Sequence, residues 1–216
     1  MIVVALDGPS GSGKSSTSKE IAIRAGWNYL DTGALYRAVT FIALSINSEK
    51  ADDILTKLEL QPITFNSDPR DPRIFIGDLD ITQEIRSHEV TEKVSVISAL
   101  PEVRAELLTL QRSIIKKAER GIVVEGRDIA TVVFPNAVLK VFLTASPEVR
   151  AQRRVDQDGG DVAQIAASIA ERDLLDSTRE DSPLASSSDS VVVDTSDRAI
   201  DDVVDEIEEL FVERTT

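Results

Sequence analysis

The chain has 216 residues, 29% of them charged, a net charge of −14 at pH 7 and no cysteine. That length suits one α/β domain with insertions and a substantial core, and the lack of cysteine excludes disulfides and thiolate metal sites. No apolar run approaches membrane-spanning length and the first is too short for a signal peptide, so a soluble, cytoplasmic protein is expected; eleven acidic and two basic residues fall within 181–216, so the acidity is local and nucleic acid is not expected as a main partner.

The first predicted strand, residues 2–6, runs directly into Gly8-Pro9-Ser10-Gly11-Ser12-Gly13-Lys14-Ser15, which fits the pattern GxxxxGK[ST]. Glycines let successive backbone N–H groups turn inward around a polyphosphate, Lys14 neutralises the β and γ oxygens, and Ser15 offers its hydroxyl to Mg²⁺. A Gly/Ser-rich linker would need neither a buried strand before it nor the helix-favouring Lys19-Glu20-Ile21-Ala22-Ile23 after it. A nucleoside triphosphate is the expected ligand of residues 8–16, Ser16 included.

A helix at about 14–26 leads to a second strand, 27–30, and to Leu30-Asp31-Thr32-Gly33-Ala34-Leu35-Tyr36-Arg37 at its carboxyl end, the edge of an open α/β sheet where ligands collect. There Arg37 can clamp an anionic acceptor and Thr32 supplies a small hydroxyl. Tyr36 offers either a stacking face or core packing. A helix at about 34–46 follows. Residues 59–82 then carry three short β-like runs, 60–66, 73–77 and 79–82, punctuated by Asp68-Pro69-Arg70-Asp71-Pro72 and Gly77-Asp78, which predicts a small antiparallel insert. His88, the single histidine, stands without partners in the sequence, which argues against a triad or metal role.

A helix at about 101–119 precedes the strand 121–125, which ends in Glu125-Gly126-Arg127-Asp128. Arg127 and Asp128 either pair with each other or divide between an acceptor phosphate and a donor group. After a strand at 138–143 comes a polar, Arg-rich stretch, 150–182, with Gly159-Gly160 as a hinge between two helices, the kind of flap that closes over substrates. Within it Arg172, Asp176 and Arg179 share a helix face at i, i+4 and i+7, fit either to close over phosphates and ribose hydroxyls or to form an exposed ion-paired surface. A strand at 190–193 and a helix at 198–213, with Ile200, Val203, Val204, Ile207, Leu210 and Phe211 on one stripe, complete the chain. Strands alternating with helices predict a doubly wound parallel sheet of five strands. No exposed apolar stripe calls for a partner, so a monomer is expected.

Taken together and in order, the loop at 8–15, LDTGALYR at 30–37, QEIRSHEV at 83–90, Ser95 to Gln111 with LPEVR, EGRDIATVVFP at 125–135, QRR at 152–154 and ERDLLDSTRED at 171–181 resemble the bacterial cytidylate kinase family of P-loop nucleoside monophosphate kinases. The resemblance implies transfer of the γ-phosphate of ATP to CMP or dCMP with Mg²⁺. It also implies a core of 1–31, 101–149 and 183–216, a monophosphate-binding insert region of 32–100 and a short lid of 150–182. By motif, Thr32, Ser95, Arg104 and Asp128 should surround the cytosine with Tyr36 beside it, and Arg37, Arg127 and Arg179 should bind the acceptor phosphate. Arg172 and Asp176 should lie near the pentose and the transferring group, with Arg153 on the lid over ATP. Ala130 departs from the family, which has glycine there, and so questions the backbone geometry after Asp128.

A carboxylate facing cytosine N4 and an arginine facing N3 and O2 match cytosine, whereas uracil reverses the pattern. The transfer itself needs no base, because the acceptor oxygen is already anionic; Lys14, Mg²⁺ held through Ser15, and Arg127, Arg153, Arg172 and Arg179 would neutralise charge. A kinase for shikimate or gluconate would share loop and lid without explaining Thr32, Arg104 and Asp128. A GTPase switch would need an NKxD motif, which the sequence lacks, and a non-catalytic regulator would leave the aligned arginines unexplained.

Overall fold

The computed structural model describes residues 1–216 apart from the side chain of Asp158. Five strands form one parallel sheet: β1 (Ile2–Asp7), β2 (Asn28–Asp31), β6 (Gly121–Gly126), β7 (Leu139–Thr144) and β8 (Val191–Asp194), in the order β2-β6-β1-β7-β8. In β1 the period of two sends Val3 and Ala5 to one face and Val4 and Leu6 to the other, where separate clusters bury them. That is why the strand reads as an unbroken apolar run. The face carrying Val4 and Leu6 is covered by α1 (Lys14–Ala25) and α8 (Ile200–Thr215). The opposite face is covered by α2 (Thr32–Ser45), α3 (Ala51–Leu60), α4 (His88–Ser98) and α5 (Pro101–Lys117).

The expected antiparallel insert is present as β3 (Ile63–Asn66), β4 (Arg73–Ile76) and β5 (Leu79–Asp80), paired in that order. α6 (Pro147–Asp158) and α7 (Val162–Thr178) flank Gly159 and Gly160, whose φ values of +73° and +104° suit residues without a Cβ. Between β6 and β7 lies a single π-helical turn, Ile129–Val133. Two helices, α3 and α4, were not expected. One expectation is corrected: α7 ends at Thr178, and Arg179 is extended at φ −65°, ψ 145°, so it is not the third member of a helical face. His88 is also not partnerless, since its Nε2 lies 3.1 Å from Glu92 one turn along α4, with both side chains exposed. Among the described residues, no helix is long and apolar enough to cross a membrane.

Candidate active site

The loop between β1 and α1 occupies the carboxyl edge of the sheet at its central strand, where the direction of winding reverses. Gly8, Gly11 and Gly13 have φ of +150°, +77° and +86°, and a Cβ at Gly8 would stand 2.1 Å from the Leu143 carbonyl oxygen. Only glycine closes this turn against β7. Lys14 donates from Nζ to the Pro9 carbonyl at 2.6 Å and to Ser12 Oγ at 3.3 Å, folded across its own loop. Burial and the neighbouring Arg127 charge push its ammonium pKa down.

Ser15 donates to Glu125 Oε2 at 3.0 Å, and the Tyr29 hydroxyl donates to Glu125 Oε1. Glu125 closes β6 on the face carrying Val123; burial first, then the charge of Asp31, push its carboxyl up. Asp31 caps α2 by accepting from Ala34 N–H at 3.0 Å. Thr32, 3% exposed, donates to the Glu125 carbonyl at 2.7 Å, and a Cβ on Gly126 would lie 2.6 Å from its Oγ1. The sharp exit of the chain from β6 thus depends on a bare backbone at 126.

A cleft of about 1210 Å³ opens over the loop. Ser10, Gly11, Gly13, Lys14, Ser15 and Ser16 of the loop line it, together with Arg37, Arg127 and Arg172 and with Arg153 and Arg154 of α6. Of the cationic side chains called for by the sequence, Lys14, Arg37, Arg127, Arg153 and Arg172 line this one cleft, whereas Arg104 and Arg179 do not. Arg37 donates to the Ile85 carbonyl at 3.2 Å and to Thr91 Oγ1 at 2.9 Å, and burial lowers its pKa to about 10. Arg127 donates from Nε to Asp176 at 2.9 Å. Arg172 is the least settled of the set: its Nε is buried without a hydrogen-bond partner, and burial followed by the charges of Arg127 and Arg37 brings its pKa down to about 9. An excess of buried positive charge of this kind is relieved by an anion.

Deeper in, Thr32, Tyr36, Arg127, Asp128, Arg172, Asp176 and Arg179 line a smaller recess that reaches Lys14 and Glu125. Arg104, 7% exposed, pairs with Asp128, 4% exposed, and its guanidinium lies 5.3 Å from the centre of the Tyr36 ring. Tyr36 is thus neither plain core nor free face, but the flank of that ion pair. Arg179 stays near Asp176, Nη1 to Oδ1 3.6 Å, although it lies beyond the helix. Ser95 does not line the recess; Ser98 and Val94 do.

Arg153 is anchored by Thr195, donating to its carbonyl at 2.6 Å and its hydroxyl at 2.9 Å, and it lines the cleft. The sequence reading missed a second contact of α6 and α7 with the loop: Asp173 accepts from Ser10 N–H at 3.3 Å and pairs with Arg150, which donates to the Ser10 carbonyl at 3.1 Å. Helices α6 and α7 are thereby tied to the lip of the phosphate loop. Glu125 and Asp7 were also missed as site residues. Each is a carboxylate at or next to the carboxyl end of an otherwise apolar strand, a signal that was available.

The family described as "Cytidylate kinase" matches residues 4–213. The cytidylate kinase of Streptomyces avermitilis is 48% identical over 216 residues, covering 99% of this chain and 94% of that protein. The cytidylate kinase of Streptococcus pneumoniae strain 70585 is 46% identical over 214 residues, covering 95% of each. Among solved structures, a gluconokinase from Sinorhizobium meliloti has the same fold, with a TM-score of 0.50 at 18% identity over 98% of this chain and 92% of that one.

Proposed function

We propose, for a chain that belongs to the cytidylate kinase family and is a nucleoside monophosphate kinase, that the acceptor is CMP or dCMP and the donor ATP. The observation that carries the base assignment is the buried pair Arg104–Asp128 beside Tyr36. Its carboxylate suits the cytosine N4 donor and its guanidinium suits N3 and O2. Against uracil the same two groups would face their own kind, and buried charges left unpaired can discriminate by ~10⁴ or more. Arg37, Arg127 and Arg179 are proposed for the acceptor phosphate, Asp176 and Arg172 for the pentose and the moving group. Ser98 lines the recess in the neighbourhood expected of Ser95.

In the proposed step, an acceptor phosphate oxygen forms a bond to the γ-phosphorus as the bond to the bridging oxygen of ADP breaks in line with it. No proton has to leave the acceptor, so positioning and charge neutralisation suffice. Lys14, Arg127, Arg153 and Arg172 all border the cleft in which this charge would develop. Ser15 Oγ and Glu125 Oε2, 3.0 Å apart, form a hard-oxygen pair that fits Mg²⁺, with phosphate oxygens and water completing its shell. Bound there, Mg²⁺ would neutralise phosphate charge. The test is ADP release by the purified protein with CMP, dCMP, UMP, AMP, GMP and shikimate as acceptors. Strong preference for CMP and dCMP is expected; comparable turnover on UMP contradicts the base assignment, and turnover on shikimate alone contradicts the acceptor class.

A further inference from the structure

Asp128 stands at the position that caps the π-helical turn 129–133, yet its side chain makes no capping bond. An aspartate at a helix start ordinarily accepts hydrogen bonds from the first free N–H groups of the turn. Here those N–H groups are taken by a carboxylate from another strand: Asp7 accepts from Ile129 N–H through Oδ1 and from Ala130 N–H through Oδ2, each at 2.8 Å. Asp7 is 1% exposed and is the last residue of β1, adjoining Gly8 of the phosphate loop. The turn is otherwise closed by Val132 and Val133 donating to the Asp128 carbonyl. Ala130, at a position where glycine was expected, fits because its methyl is buried in the core while its N–H faces Asp7.

From this arrangement we infer that Asp7 is a positioning residue for base recognition: by capping the turn in place of Asp128, it frees the Asp128 carboxylate to face Arg104. The inference rests on the proposed role of Arg104 and Asp128, and it adds a group that touches neither. Its physical content is a competition for one carboxylate. With the two N–H groups satisfied from below, Asp128 has no local demand on its oxygens. With them unsatisfied, buried donors draw Asp128 back onto its own turn and away from Arg104. The donor side should be less affected, since among the described residues Asp7 makes no side-chain hydrogen bond to the phosphate loop and reaches Lys14 only through its charge, the smallest of the influences on that ammonium.

The test is Asp7→Asn, which keeps one acceptor and presents an N–H₂ group to the second backbone donor. The CMP-to-UMP ratio of kcat/KM should contract by ~10-fold or more, with KM for CMP rising, while the dissociation constant for ATP, measured without acceptor, should change by less than ~3-fold. An unchanged ratio overturns the inference. So does a parallel loss of ATP and CMP binding, which would mark Asp7 as a support of the loop alone. If Asp7→Asn does not fold, Asp7→Ser, which withdraws the carboxylate and leaves the Ile129 and Ala130 N–H groups in place, is measured instead, and the same contraction or its absence decides. The wild-type ratio reports on the Arg104–Asp128 reading, and the change in that ratio on Asp7, so the two can fail separately.

Discussion

Arg104 on α5 and Asp128 at the exit of β6 are 24 residues apart in sequence, and they pair in a setting where both side chains are under a tenth exposed. Arg104 also donates to the Ser98 carbonyl at 3.2 Å, so its guanidinium is held from two sides with one edge to spare. Arg104→Met should lower kcat/KM for CMP by at least ~10², and it should cost about 3–5 kcal/mol of stability by stranding the Asp128 charge. Steady-state kinetics and urea unfolding on the same preparation check both; a variant as stable and as selective as the parent would remove the pair from base recognition.

Lys14 lies across the phosphate loop on the Pro9 carbonyl and borders the cleft. Lys14→Ala should lower kcat by at least ~10² through lost stabilisation of charge on the moving phosphoryl group. Single-turnover measurements separate this from binding. Near-native kcat would refute the role.

The cationic cleft should be stabilised by any small polyanion that fits it. Pyrophosphate at 100 times its dissociation constant should add about 2.7 kcal/mol, roughly 5–10 °C in Tm for a chain of this size. Arg172→Met, which removes the guanidinium with the unpaired Nε, should reduce that increment. A thermal melt with and without pyrophosphate, in low salt, reads both. No shift in the wild type would deny that the arginines share one anion site.

Asp7 gives the protein a pH dependence whose sign is fixed by burial. Its carboxyl is pushed up from 3.8 to about 6, desolvation outweighing the two N–H donors. The folded state therefore holds this proton more tightly than the unfolded state does. The resulting stabilisation is complete below about pH 4 and is lost as pH rises through 6, up to roughly 3 kcal/mol in all. Asp7→Asn cannot titrate, so wild-type stability relative to the variant should fall between pH 4 and 7 in urea melts. A relative stability that rises over that range would contradict the assignment.

The sheet was legible because its strands are short, largely apolar runs separated by helical segments, and the loop because its spacing admits one chemistry. The insert was legible from its Pro and Gly punctuation. Helices α3 and α4 were not, since α3 buries only Ile54 and Leu58 and α4 is polar around most of its circumference. Arg37, Arg127 and Arg172 were found because cations at sheet edges and on a helix face have a recognisable chemistry. A carboxylate closing an apolar strand marked Asp7 as unusual, but its partners, the Ile129 and Ala130 N–H groups more than a hundred residues away, are a pairing no local pattern encodes. Arg179 shows the complementary error: spacing placed it on a helix, but the helix stops one residue short while the side chain still stays near Asp176.

The acidic stripe of α8, where Asp201, Asp205 and Glu208 surround the single cation Arg24, lies on the outer surface of a chain whose net charge is −14. Its cleft, by contrast, gathers Lys14, Arg37, Arg127, Arg153 and Arg172. The two regions oppose each other electrostatically: a nucleotide is repelled by the acidic surface of α8 and drawn toward the cationic cleft, so collisions are sorted before contact. Capture rates for the triphosphate should therefore fall as ionic strength rises, even where the rate of the chemical step does not.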